Sequence, residues 1–375
     1  MRVRVRSVRC VLKVCSLIAV ASAAYGKSER EIQIDRSDLA VIDSRVHENI
    51  EVAGVLLNDR NLSEYLAGMV ARLVGVPEGT VAPYRALLIN GSEINAFSLS
   101  DGTIYISLGI FSLIDNDAQL ALLLAHEIAH VRLDHHRLFR YELHEKTAGT
   151  PLFGGIDTPY NLRVALSGFS KSLERQADSC ALRTVIDCGY NAWEAKNLIS
   201  TMYFWLKYKE MSYDSTGATH PTFAERYRTS KKILQSLGVD TSAGVVGLTS
   251  YQEMIRPHLQ RIVALLKESN YVNELYKMAL HKLDGGAPLP QWYYLRGSLL
   301  ERYEAADSFE VGVASLTSAF SKDPSNTRSI RDLGWLYLKN GKRDSARVCL
   351  RRYLAVTPEA EDNGIVRFYL ERLHE

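Results

Sequence analysis

The motif HEIAH at 126–130 constrains this 375-residue chain more than any other feature of its sequence. It lies in an apolar stretch over 115–136, and the Asp and Asn residues at the start of that stretch favour a helix beginning there. Four residues advance a helix by about 400°, so the imidazoles of His126 and His130 point the same way. The pattern predicts that both rings bind one zinc ion and that Glu127 lies beside it.

A catalytic zinc site needs a third protein ligand. In the segment ERQAD at 174–178, Glu174 and Asp178 are four residues apart, so they share one face of a second predicted helix over about 161–187. From that helix Glu174 completes a His-His-Glu set, and Asp178 accepts the free N–H of a ligand histidine. Glu127 is placed to take a proton from the attacking water.

His135 and His136 are the alternative third ligands. His136 stands where an extended HExxHxxGxxH motif has its last histidine, but Leu133 replaces the glycine that breaks the helix in that motif. The sequence therefore predicts a helix that continues to His136. In such a helix both side chains point away from the metal, and Glu174 is favoured as the ligand.

These motifs resemble a family of zinc metallopeptidases that includes the HtpX-type proteases, the CAAX prenyl protease and the mitochondrial Oma-type protease. Over about residues 35–375, with a secretory signal and a helical tail, the chain looks most like the periplasmic BepA-type proteases and chaperones of outer-membrane β-barrel assembly. The membrane members carry transmembrane helices, which this sequence lacks. The segments that carry the resemblance are HEIAH, ERQAD, NAFS at 95–98 with GTIYI at 102–106, FSK at 169–171, and HP at 220–221 with Arg226.

The resemblance implies one zinc ion per chain, bound by His126, His130 and Glu174, with Glu127 as general base and acid. It implies zinc-assisted peptide hydrolysis in a zincin-like domain. The zinc ion lowers the pKa of its water and polarises the scissile carbonyl.

Two further implications concern the surroundings of the zinc site. His220 corresponds to a histidine that approaches the zinc and holds the enzyme latent, with a simple helix-entry turn as the alternative. Arg226 is expected near the site, contacting Asp178 or the transition-state oxygen. A loop over 147–159, rich in Gly, Pro and Thr, is a candidate lid.

Strand patterns surround the NAFS segment. The run YRALLIN over 84–90 predicts a strand, and 95–98 with 103–107 predict a pair around a turn. The resemblance implies an open strand edge to which an extended substrate adds by main-chain hydrogen bonds. Core packing is the alternative role for the two aromatic side chains, Phe97 and Tyr105. The predicted substrate-binding residues are Asn95, Ala96, Phe97 and Ser98.

The first 26 residues predict a signal peptide. They carry five basic residues and no acidic one, followed by an apolar stretch of about eleven residues that is too short to span a bilayer. Cleavage is expected after Ala23 or Gly26, with an uncleaved anchor or a mitochondrial transit peptide as alternatives. The rest of the chain has no basic stripe, which argues against a nucleic-acid partner. Three cysteines remain, and pairing of Cys180 with Cys188 stays open.

The second half of the chain has a different pattern. A Gly/Ser/Thr-rich stretch over 238–250 predicts a linker, and the residues beyond it are helical with spacings typical of tetratricopeptide (TPR) repeats. In the earlier repeat Leu316 lies 34 residues before Leu350, and Gly297 lies 37 before Gly334. The residues that fit the repeat are Leu333, Gly334, Tyr337, Gly341, Ala346, Leu350 and Pro358.

The sequence thus predicts a mainly α protein with a small β-sheet. A signal peptide over 1–26 precedes a zinc metallopeptidase domain over 27–250 and a TPR-like domain over 251–375. The expected function is periplasmic, zinc-dependent degradation of misfolded or stalled outer-membrane proteins, with TPR-mediated docking to a β-barrel assembly complex and at most peripheral membrane association. The alternative is a chaperone or assembly factor with minor proteolysis, and CAAX-type processing is disfavoured because transmembrane helices are lacking.

Overall fold

The computed structural model describes residues 29–77, 81–139, 169–208, 223–269, 272–284, 289–300 and 308–373. The predicted signal peptide, the predicted lid at 147–159 and His220 lie outside these residues. Within them, no helix is both long and apolar enough to cross a membrane. The chain divides into two compact units: the described residues of Met1–Tyr203 with Tyr213–Met254, and those of Phe204–Ser212 with Ile255–Glu375.

The first unit combines helices with a three-stranded sheet, as the sequence predicts. Its strands have the order β1-β3-β2; β1 and β3 are parallel, and β2 and β3 are antiparallel. The strands are β1 Arg85–Ile89, β2 Ala96–Ser98 and β3 Thr103–Ser107. The helices are α1 Glu29–Val52, α2 Arg60–Val74, α3 Asp117–Arg132, α4 Lys171–Asp187, α5 Ala192–Ala195, α6 Asn197–Tyr208, α7 Phe223–Ser236 and α8 Leu248–Glu268. The first unit includes α6 only as far as Tyr203 and α8 only as far as Met254.

Helix α3 is the centre of the first unit and is buried along most of its length. The Asn116 side chain caps it by accepting a hydrogen bond from the Gln119 backbone N–H, as the polar start of the segment predicts. The helix ends at Arg132, so the prediction that it continues to His136 is wrong. Asp134 has a φ of 57°, a left-handed conformation that stops the helix before a new helical segment begins at His135.

Helix α4 packs along α3 and begins later than predicted. Phe169 is not helical, and Ser170 has an extended backbone (φ −64°, ψ 162°), so the helix starts at Lys171 instead of near 161. The helix buries a face that includes Leu173, Ala177 and Ala181. The absence of a side chain beyond Cβ at Ala177 lets the two helices approach closely. Within the described residues, Cys180 and Cys188 form no disulfide.

Side chains of α1 form hydrogen bonds with the hairpin of β2 and β3. Asp43 Oδ2 accepts hydrogen bonds from Ser100 Oγ at 2.5 Å and from the Asp101 backbone N–H at 3.0 Å. His47 bonds to the Tyr105 hydroxyl through Nδ1 at 2.6 Å and to Asp101 through Nε2 at 2.8 Å. These contacts fix the turn between β2 and β3, and with it the position of the edge strand.

Part of the predicted linker packs within the first unit. The Val245 backbone N–H donates to the Gly189 carbonyl, and the backbone N–H groups of Asp117 and Ala118 donate to the carbonyls of Gly247 and Val246. The segment therefore contacts both the α4 terminus and the start of α3.

The second unit is helical in its described residues. It includes the end of α6, the rest of α8, and six further helices. Gly297 and Gly334 each face a leucine of the following helix: an added Cβ would lie 2.7 Å from Leu316 Cγ and 2.7 Å from Leu350 Cδ2, respectively. The predicted repeat spacing thus coincides with two close helix contacts, while the TPR assignment stays a prediction. The six helices are α9 Val272–Asp284, α10 Pro290–Leu299, α11 Ser308–Lys322, α12 Thr327–Lys339, α13 Arg343–Val356 and α14 Asn363–Arg372.

Candidate active site

Three of the predicted metal ligands lie together between α3 and α4. His126 Nε2 is 3.0 Å from His130 Nε2 and 3.4 Å from Glu174 Oε2, and His130 Nε2 is 3.7 Å from Glu174 Oε1. Among the described residues this is the only group of three or more His, Cys, Asp or Glu side chains that can hold a metal ion. It does not include His135 or His136.

The donor set and its spacing fit zinc. Zinc binds imidazole nitrogen and carboxylate oxygen at about 2.0–2.2 Å, so two ligand atoms of a tetrahedral site lie about 3.3 Å apart. The three distances in the cluster, 3.0, 3.4 and 3.7 Å, lie on either side of that value. Both His130 and Glu174 are buried, and a pair of imidazoles with one carboxylate is a typical catalytic zinc set.

His126 is oriented from its far side by an ionic pair. Its Nδ1 lies 3.1 Å from Asp178 Oδ1, and Arg226 donates to both carboxylate oxygens of Asp178, at 2.6 and 2.8 Å. Burial lowers the pKa of His126, but the carboxylates of Asp178 and Glu174 outweigh burial and raise it to about 10. The ring is therefore held as the cationic partner of two carboxylates, an environment in which a bound cation can replace the proton.

Arg226 reaches this cluster from α7 and also approaches Glu174, with 3.6 Å between its Nη1 and Glu174 Oε2. Burial of Asp178 raises the pKa of that carboxyl, but Arg226 and His126 reverse the effect and hold it well below its usual range. Asp178 is thus an anion that fixes the ring of His126.

Glu127 is buried beside the cluster. It accepts a hydrogen bond of 3.0 Å from Ser98 Oγ, at the end of β2. Burial raises the pKa of Glu127 to about 7, against the opposing influence of His126 and Ser98. A carboxyl with a pKa near neutrality can both accept and donate a proton at physiological pH, which is what a general acid–base catalyst requires.

Comparison with known proteins agrees with this site. A model of peptidase family M48 matches residues 57–234. The match covers 178 of the 375 residues, a little under half of the chain. Members of that family are zinc-dependent metallopeptidases, and the described residues of this chain include the group of His126, His130 and Glu174 that can hold a metal ion. The matched segment contains both HEIAH and ERQAD.

Curated relatives are similar to a limited part of this chain. The beta-barrel assembly-enhancing protease of Escherichia coli (strain K12) is 39% identical over 80 residues, which cover 21% of this chain and 16% of that protein. The protein of the same name from Yersinia pestis is 32% identical over 104 residues, which cover 28% of this chain and 21% of that protein. The chain thus matches less than a quarter of the length of either relative.

At two residues of the edge strand β2, the main-chain groups point away from the sheet. The Ser107 backbone N–H donates to the Asn95 carbonyl, and the Leu99 backbone N–H donates to the Thr103 carbonyl. Because bonding alternates along an antiparallel pair, the main-chain groups of Ala96 and Ser98 point away from β3. Phe97 instead packs on Tyr105, with ring centroids 5.3 Å apart.

Sequence reasoning rejected two further histidines as ligands and did not predict that they contact this site. His135 Nδ1 lies 3.0 Å from Nδ1 of His130, and His136 Nε2 donates to the Ser98 carbonyl at 2.9 Å. Phe169 stacks on the His130 ring, with centroids 3.9 Å apart. Both histidines reach the site because the helix stops at Asp134, and a non-glycine residue in the left-handed region has only a weak signal in a sequence.

Proposed function

We propose that this chain is a zinc-dependent endopeptidase of the periplasm that degrades misfolded or stalled outer-membrane proteins. The observation that carries the proposal is the ligand cluster of His126, His130 and Glu174, the only such cluster in the described part of the chain, with the buried carboxyl of Glu127 next to it. A site with three protein ligands leaves a fourth position for water or substrate, which distinguishes catalytic from structural zinc.

His126, His130 and Glu174 would hold one zinc ion per chain. When bound, zinc supplies Lewis-acid chemistry, lowering the pKa of water and polarising a carbonyl. Glu127 takes the proton of the attacking water and returns it to the leaving amine. Ser98 keeps the Glu127 carboxylate in place through its hydrogen bond.

Asp178 and Arg226 act through His126. The pair fixes the ring and its tautomer, as partners behind metal-bound histidines commonly do. His220, outside the described residues, is proposed to hold a latent state by approaching the zinc, and this part rests on the family resemblance alone.

The outward edge of β2 is proposed to bind the substrate as an added strand. The main-chain groups of Ala96 and the backbone N–H of Ser98 supply the hydrogen bonds, since the Ser98 carbonyl already accepts one from His136. Such pairing is nearly independent of substrate sequence. Asn95 and Phe97 support the strand through β3. Unfolded segments are the substrates that can take this extended form.

The cellular setting rests on two features. The predicted signal peptide favours export, and the relatives from Escherichia coli and Yersinia pestis are named for β-barrel assembly. The helical second unit is proposed to dock on an assembly complex. Paired helices of this kind also favour a second candidate function, a chaperone or assembly factor in which proteolysis is minor.

Glu127→Gln tests the proposed reaction. The variant should retain zinc and lose cleavage of a disordered protein such as casein by at least about 10²–10⁴-fold, since the amide cannot take the proton. Cleavage would be followed by gel with the zinc-loaded chain, and metal content would be measured in parallel. Equal cleavage by both proteins would contradict the assignment of Glu127.

Two further measurements separate the alternatives. Glu174→Ala should lose zinc, and an unchanged metal content would reopen the choice of third ligand. Where neither wild type nor Glu127→Gln cleaves casein, His220→Ala should restore cleavage if the enzyme is latent and should not if the protein is mainly a chaperone. Rescue of an outer-membrane phenotype by Glu127→Gln would favour the chaperone.

A further inference from the structure

The ring of His130 is held on two sides by residues that follow or face α3. Its face stacks on Phe169 with an interplanar angle of 16°, and its Nδ1 lies 3.0 Å from Nδ1 of His135. His130 is 1% exposed and His135 is fully buried, so water does not compete for this contact. The ring is therefore constrained both in its plane and at its far nitrogen.

The path of the chain puts His135 in this position. In a continuous helix, five residues turn the side chain by about 500°, which would leave His135 about 140° away from the direction of His130. The helix instead ends at Arg132, and Asp134 adopts φ 57°. Arg137 Nε donates to Asp134 Oδ2 at 2.6 Å, which stabilises the turn locally.

The position of the proton between the two rings follows from what a metal requires. His130 presents Nε2 toward His126 and Glu174, and that nitrogen binds a metal only through its lone pair. The proton of the neutral His130 ring is then on Nδ1, where a partner must accept it. His135 Nδ1 is the atom within hydrogen-bond distance that can do so.

We infer that His135 is a positioning residue for the zinc site, which selects the metal-binding tautomer of His130 by accepting its Nδ1–H. His126 and His130 are thus oriented by different devices: an anionic carboxylate, Asp178, behind the first ring, and a neutral imidazole behind the second. The inference rests on the proposed function, because it needs zinc at His130.

The matched pair His135→Leu and His135→Asn tests the inference. The two side chains have nearly the same shape, but only Asn offers an acceptor near the place of Nδ1. The zinc dissociation constant of the full chain would be measured by chelator competition, together with thermal unfolding of the metal-free proteins.

His135→Leu should weaken zinc binding about 10–100-fold, the range found when partners behind ligand histidines are removed, and His135→Asn should recover most of that loss. An affinity of His135→Leu within about twofold of wild type, or an equal loss in Leu and Asn variants, would overturn the inference.

A measurement without substitution covers the case in which the Leu variant does not fold. In the zinc-loaded wild type, the ¹⁵N imidazole signals of His130 should show a protonated Nδ1 and a metal-bound Nε2; the reverse would also overturn the inference. Wild type that binds no zinc removes the proposed function itself. Wild type that binds zinc while His135→Leu binds it equally well removes only the role of His135.

Discussion

Arg226 in the first unit and Arg331 in the second each pair with two carboxylates, but the two clusters differ in what else the carboxylates contact. Arg226 makes two hydrogen bonds to Asp178 and lies 3.6 Å from Glu174. Arg331 donates to Asp332 Oδ1 from Nε and Nη2, at 3.0 and 2.7 Å, and its Nη1 donates to Asp362 at 2.6 Å. The cationic centre is the same in both.

The surroundings of the carboxylates separate the two clusters. In the first unit Asp178 and Glu174 face the nitrogens of His126. In the second unit Asp332 accepts a hydrogen bond from the Tyr294 hydroxyl, and Asp362 accepts one from the Tyr353 hydroxyl. The carboxylates of the second unit therefore contact hydroxyl and cationic donors, whereas those of the first unit contact the imidazole of a candidate metal ligand.

The ionic pair of the first unit is also more buried than that of the second. The side chains of Arg226 and Asp178 are 15% and 7% exposed, whereas those of Arg331 and Asp362 are 19% and 29% exposed. A charge costs more free energy to leave unpaired where water cannot reach it. An arginine between carboxylates is thus no evidence of a functional site by itself. What distinguishes the cluster of the first unit is that its carboxylates face imidazole nitrogens.

Arg226→Met should give the largest effect. The substitution leaves the buried carboxylate of Asp178 without its bidentate partner, so the free energy of unfolding of the first unit should fall by about 3–5 kcal/mol. Urea unfolding of the metal-free protein would measure it, and the zinc dissociation constant should rise as well. Arg228→Met on the same helix is the control, because Arg228 is exposed and its side chain bonds only to the Ala224 carbonyl.

The outcome of that substitution sharpens the comparison. A loss similar to that of Arg228→Met would mean that Asp178 finds solvent or another donor and that the two clusters differ less than their burial indicates. A full loss of stability without a change in zinc affinity would separate the ionic pair from the orientation of His126.

The sequence predicted the metal cluster because its information is local. The spacing of four residues in HEIAH and in ERQAD places His126 with His130, and Glu174 with Asp178, once each segment is helical. The packing of α3 against α4 was predicted because a catalytic zinc site requires a third protein ligand. The strands were also predicted from local signals, namely the run over 84–90 and the turn between 95–98 and 103–107.

The contacts around His130 could not be predicted from the sequence, and the reason is physical. The end of α3 depends on Asp134, and Asp costs free energy in the left-handed region that only the surrounding packing and the Arg137 contact offset. Helix propensity therefore predicts continuation to His136. Because the predicted helix end was wrong, the sequence did not predict the contacts of His135 and His136 with the site.

Gly334→Ala tests whether helix packing stabilises the second unit more than its ionic cluster does. The added Cβ would lie 2.7 Å from Leu350 Cδ2 and 2.8 Å from Leu350 Cγ, so α12 and α13 must separate or repack. Overpacking costs up to about 3 kcal/mol and helix propensity returns about 1 kcal/mol, for a net loss of up to about 2 kcal/mol. Backbone hydrogen exchange in α12 and α13 would measure it.

Gly364→Ala is the matched control for that substitution. Its added Cβ would meet no atom within 4 Å, and the helix should gain up to about 1 kcal/mol. If both alanine variants were stabilising, the close contact between Gly334 and Leu350 would be easily relieved, and packing at the glycine would not distinguish the second unit.

Arg331→Met should have the smallest effect of the three substitutions. Asp332 keeps the Tyr294 hydroxyl at 2.9 Å and Lys267 Nζ at 3.8 Å, and Asp362 keeps the Tyr353 hydroxyl and is partly exposed. Each carboxylate thus retains a partner, so the free energy of unfolding should fall by only about 1 kcal/mol, measured by hydrogen exchange in α12. The zinc dissociation constant should not change. A loss greater than that of Gly334→Ala would reverse the ranking and make the ionic cluster the main stabilising feature of the second unit, as its counterpart is expected to be in the first.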